Sequence, residues 1–186
     1  MRPSNLAPLL VVAAALACVQ PRDVTSIPRR DPVYAGLVGK WQGTLEERDT
    51  RDPTRRVRHA TSVVVQAVPE ADGLALQFAT DDGAAPRRIG TDLLQLDKSL
   101  TAARWGDTRD TTPQQFDVIV HEAPPSPTVQ QPLRLVLEGV GSVDDLPAMI
   151  RETVTIAPGE IHIIQETRTL GARFAFQRAY VLRRVG

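Results

Sequence analysis

The 186-residue chain is long enough for one sizeable core and short for two domains. Its 22 basic and 22 acidic residues cancel and are interspersed, so no basic face invites a nucleic-acid partner. A single cysteine excludes an internal disulfide and a cysteine-based metal site.

Taken in order, the first stretch is unlike the rest. Arg2 is followed by an apolar run from Leu6 to Leu16, broken by Pro8 and too short to span a bilayer. Ala15-Leu16-Ala17 then supplies a small-x-small cleavage site, so residues 1–17 read as a signal peptide. Ala15-Leu16-Ala17-Cys18 resembles the lipobox of bacterial lipoproteins, with Ala15 where Leu is usual and Leu16 where a smaller residue is usual. That resemblance implies a lipidated Cys18 as mature N-terminus and a membrane partner reached through its lipid. Val19 stands where an Asp retains such proteins at the inner membrane. The family rule therefore implies the outer membrane, on its periplasmic or surface face. Residues 18–36, with Pro21, Pro28 and Pro32 and little periodicity, read as the lipidated N-terminus and a flexible tether.

Residues 37–186 form the folded domain. Trp41, Gly43 and Leu45 alternate with polar neighbours in a first strand, followed by the charged loop 48–56. A strand over 57–68 carries Val63-Val64-Val65, and Asp72-Gly73 turns the chain into Leu74, Leu76 and Phe78. Residues 87–98 fit neither period cleanly and are assigned to a strand, with a short piece at 102–105 after it. Residues 116–122 and 133–137 alternate again around a proline-rich loop. The last strands run 148–156, 160–169 and 172–184. A helical turn is expected near 143–147 or just before the first strand. The pattern predicts an all-β fold, a single antiparallel up-and-down barrel of about 8–10 strands.

The final turns set a register. With Pro158-Gly159 as a two-residue loop, Glu152 lies opposite Gln165 and Val154 opposite Ile163. With Leu170-Gly171 as another, Ile163 faces Arg178, Gln165 faces Phe176 and Ile161 faces Tyr180. Phe174, Phe176, Arg178 and Tyr180 then share one interior face with Ile150, Glu152, Val154, Ile161 and Ile163. Buried charges are too costly to leave unpaired. An Arg178–Glu152 ion pair, or a water-filled cavity that both line, is therefore expected. A one-residue bulge would undo this pairing.

Gly39-Lys40-Trp41 resembles the G-x-W of lipocalins and related calycin barrels, and Phe174 to Arg184 is similar to the last strand of bacterial lipocalin-like lipoproteins. The resemblance implies Trp41 at the closed end near an arginine of the last strand, Arg178 or Arg183. It also implies a mouth that holds a small apolar ligand. The interior candidates for ligand contact are Trp41, Glu152, Gln165, Phe176, Arg178 and Tyr180. The alternative is an envelope structural or interaction module with a self-filled barrel.

No G-x-S-x-G, P-loop or G-x-G-x-x-G occurs, and the adjacent carboxylate pairs point to opposite strand faces, so no catalytic residue is assigned. His59, His121 and His162 lack metal-site spacing, so neither a metal nor a cofactor is expected. A nitrobindin-like barrel binds haem through one histidine, for which His121 is the candidate. His162 falls on the solvent face.

Overall fold

Ten apolar–polar alternations become ten strands because each can bury one face only by pairing on both edges with its neighbours. The computed structural model describes residues 32–49, 51–81, 83, 88–109, 113–123, 131–143 and 145–186. The expected signal peptide, Cys18 and the expected tether up to residue 31 lie outside the described residues. A short helix α1 (Pro32–Leu37) precedes β1 (Gly39–Arg48), β2 (Arg56–Val68), β3 (Gly73–Asp81), β4 (Arg88–Leu96) and β5 (Ala102–Asp107). The chain continues through β6 (Gln114–Glu122), β7 (Leu133–Val143), β8 (Leu146–Ala157), β9 (Glu160–Thr169) and β10 (Ala175–Arg184). Every strand pairs antiparallel with the next, and β1 closes the ring against β10. The fold is an all-β, single, closed, up-and-down barrel, as the alternation predicts.

One end is sealed. Helix α1 buries Val33, Tyr34 and Leu37, drawing into the barrel residues 32–36 that composition alone assigns to the tether. The Trp41 indole donates to the Leu37 carbonyl at 2.8 Å, and the Leu96 amide donates to the Tyr34 hydroxyl at 2.6 Å. Arg184, opposite Trp41 in the β1–β10 ladder, stacks its guanidinium 4.4 Å from the indole. Its remaining donors cap the carbonyls of Val38 and Gly36. The arginine expected beside Trp41 is thus neither Arg178 nor Arg183. Arg183 points outward to Glu160, and Arg178 sits toward the other end.

The β8–β9 hairpin has the expected register, with Glu152 opposite Gln165 and Val154 opposite Ile163. The β9–β10 register differs by two residues. Ile161 faces Leu182, Ile163 faces Tyr180 and Gln165 faces Arg178. The cause is two one-residue slips. The turn closes where expected, Ala172 N–H to the Thr169 carbonyl at 3.1 Å, but the ladder resumes one residue late, at Ala175–Thr167. A bulge at Gln177 then adds the second. The first slip turns Phe174 and Phe176 to the outer face, and the second returns Arg178, Tyr180 and Leu182 to the interior. Outside, Phe174 lies between the guanidiniums of Arg151 and Arg168, and Phe176 lies under that of Arg56. Phe176 is therefore no interior residue.

Truncating the closed-end indole removes a fully buried side chain and leaves the Leu37 carbonyl without its donor. Trp41→Ala is expected to lower stability by about 3–5 kcal/mol in urea unfolding. Trp41→Phe, which keeps most of the volume, should lose clearly less.

Candidate functional site

The strand faces that fill the closed end with Leu74, Leu94, Leu135 and Leu182 carry polar residues toward the other end. There Glu152 of β8, Gln165 of β9 and Arg178 of β10 lie side by side on three consecutive strands. Gln165 Nε2 donates to Glu152 Oε1 at 2.5 Å, and Arg178 Nη2 stands 3.9 Å from the same oxygen. The expected Arg178–Glu152 pair is present despite the bulge, because the two slips together preserve strand parity. It is a loose pair. Glu152 is 6% exposed, whereas the Arg178 side chain is 42% exposed, so water reaches the guanidinium inside the ring of strands.

Further polar groups converge from β1, β2 and β4. Arg178 is opposite Glu47, which accepts from Arg88 at 3.0 Å and lies 3.4 Å from His59 Nε2. Asp92 accepts from the Trp105 indole at 3.1 Å. Tyr180, one interior step below Arg178, packs its ring on Phe78 with centroids 5.0 Å apart. The bulged Gln177 bonds the Thr167 hydroxyl at 2.5 Å, and Thr61 bonds Thr80 at 3.1 Å. The result is an apolar barrel with a polar mouth.

Electrostatics in the mouth follow from burial. Desolvation pushes the Glu152 carboxyl up to about 7, against the opposing pull of Arg178 and the Gln165 amide, with the Asp92 charge adding to the rise. Burial likewise raises the Tyr180 hydroxyl. An open cavity of about 1130 Å³ runs along β4–β8, with Trp105, Phe116 and Ile150 and the outward-facing Arg104, Gln115 and Val140 among its lining residues; none of Glu152, Gln165, Arg178 and Tyr180 lines it. Trp105 both lines this cavity and donates its indole N–H to Asp92.

Of the candidates read from sequence, the fold gathers Glu152, Gln165, Arg178 and Tyr180. Phe176 lies outside, and Trp41 lies at the sealed end, six residues along β1 from Glu47 and so roughly 20 Å away. Sequence reading missed Glu47, His59, Arg88 and Asp92. The parity signal for two of them exists, since Glu47 shares a face with Trp41 and Leu45, and His59 with Val63 and Val65. His162 is outward, bonded to Glu160, and half-buried His121 pairs with Leu135 in the β6–β7 ladder. Among the described residues, no group of three or more His, Cys, Asp or Glu is placed to hold a metal ion.

No family model matches the chain, and no curated protein does. Among solved structures, it is similar to the crystal structure of Rv2717c from M. tuberculosis. The TM-score is 0.56 at 15% identity, over 83% of this chain and 96% of that one. The likeness is one of fold.

The Glu152 carboxyl, held near 7 in the fold against an ordinary 4.5, binds its proton more tightly folded than unfolded. Its stabilising contribution is complete below about 4.5 and lost as the pH rises through about 7. Glu152→Gln, which cannot ionise, should match the parent in urea unfolding at pH 5 and exceed it by roughly 2–3 kcal/mol at pH 8. A stability difference that does not change with pH would show that the carboxyl is not raised.

Proposed function

We propose that this barrel is the folded domain of a lipocalin-like, lipid-anchored envelope protein, and that its mouth binds a small, partly apolar molecule bearing one anionic head. The observation that carries the ligand reading is Arg178, a water-accessible guanidinium inside an apolar barrel whose interior counter-ion stands at 3.9 Å and is itself drawn toward neutrality by burial. A carboxylate, sulfonate or phosphate head meets Arg178 from the open end, with the Tyr180 hydroxyl on the next interior position. The apolar body lies along inward apolar side chains next to the mouth, among them Phe78, Trp105 and Ile150.

The anchor reading rests on Ala15-Leu16-Ala17-Cys18, and Val19 favours the outer membrane. The tether meets the domain at α1, on the sealed end. A lipid on Cys18 thus leaves the mouth at the far end, facing away from the attachment point. A second reading, an envelope module with a self-filled barrel, is favoured by the dense packing of Leu74, Leu76, Leu94, Leu135 and Leu137 below the mouth.

Calorimetric titration with dodecanesulfonate, set against uncharged dodecanol, separates the two. The ligand reading expects saturable binding of the sulfonate, weakened at least about tenfold in Arg178→Gln, the loss of one charge-assisted contact. No heat with either amphiphile supports the self-filled barrel. For the anchor, Cys18→Ser should move the protein from the detergent-extracted membrane fraction to the soluble fraction of the producing bacterium. Equal partitioning of the two forms would exclude lipidation.

A further inference from the structure

Resting on the mouth-binding reading, we infer that anion binding is coupled to proton uptake at Glu152: an acidic head takes Arg178 only while Glu152 is neutral, so the barrel loads in acidic surroundings and releases as the pH rises.

The coupling follows from how Glu152 is held. Its strand is laddered on both sides, to Leu137 of β7 and Gln165 of β9, and the side chain is nearly inaccessible, so the carboxyl cannot swing out to water. The charged and polar groups that act on it are Gln165 from β9, Arg178 from β10 and Asp92 from β4, with Tyr180 beside Arg178 on β10. On the far side of Arg178 stands Glu47 of β1, engaged with Arg88 and His59.

When Glu152 is ionised, the guanidinium is already neutralised and Asp92 adds a second negative charge nearby. An arriving anion would then crowd like charges around one cation in a poorly solvated space, an unfavourable arrangement. A proton on Glu152 removes the competitor while leaving a carboxyl oxygen to accept from Gln165. The balance is simple. Each anion bound above the carboxyl's transition, near pH 7, takes one proton from solvent onto a Glu152 oxygen, and no other bond is made or broken. Below it the proton is already in place.

Dodecanesulfonate is a suitable probe because its head stays ionised across the relevant range. Calorimetry on the whole barrel should show affinity level at acidic pH and falling by up to about tenfold per unit above pH 7. Titrations at pH 8 in two buffers of different ionisation enthalpy should report uptake of close to one proton, and at pH 5.5 of close to none. Glu152→Gln should bind at the acid-side affinity throughout. Binding that does not vary with pH, or a Glu152→Gln variant that retains the parental slope, overturns the inference. In the latter case the proton sits elsewhere. If no sulfonate binds to any form at any pH, the mouth-binding reading fails, and this inference fails with it.

Discussion

Closure of the sheet between its first and last strands is the constraint on which everything else depends. An open ten-strand meander would expose two edges and leave its apolar face uncovered. Pairing β1 with β10 removes both edges and creates an interior. The two strands approach so closely that a Cβ on Gly43 would lie 1.9 Å from the Val181 carbonyl, a position only glycine fills. The same ladder sets Arg184 opposite Trp41, so closure of the ring and sealing of its end are one structural event. Helix α1 completes the seal by covering the indole and the leucines around it.

Once the interior exists, its two ends diverge in character. Toward α1 the inward positions are mostly leucine, valine and isoleucine, and the polar atoms of Trp41 and Tyr34 meet the backbone of Leu37 and Leu96. Toward the mouth the same strand faces carry Glu47, His59, Asp92, Glu152, Gln165 and Arg178. The barrel thereby keeps charges where low dielectric strengthens them and water still reaches one of them. A buried pair in ideal contact would be a structural element. Here the guanidinium stands back from the carboxylate, and the Arg178 side chain remains half-open.

The bulge at Gln177 decides which side chains reach that mouth. Without the slips, Phe174 and Phe176 would enter the lumen and fill space beside Glu152. With them, both rings lie on the outer wall against Arg151, Arg168 and Arg56, and Gln177 turns inward to Thr167. That Phe174 and Phe176 stay out of the opening is therefore owed to a local irregularity of β10.

Much of this was legible in the residues themselves. Period-two alternation and the Asp72-Gly73 and Pro158-Gly159 turns determined strands, antiparallel order and the Glu152–Gln165 pairing, because these depend on neighbours within one hairpin. Parity on single strands held the signals for Glu47 and His59, though not the reason to connect them. The rest was decided only by tertiary structure. The choice of Arg184 over Arg178 or Arg183 for Trp41 and the approach of Asp92 to Arg178 depend on ring closure, and the slips that expel Phe174 and Phe176 arise in the β9–β10 ladder. Closure brings together residues far apart in sequence, and a slip of one residue reverses every side chain beyond it, so local pattern cannot contain that information.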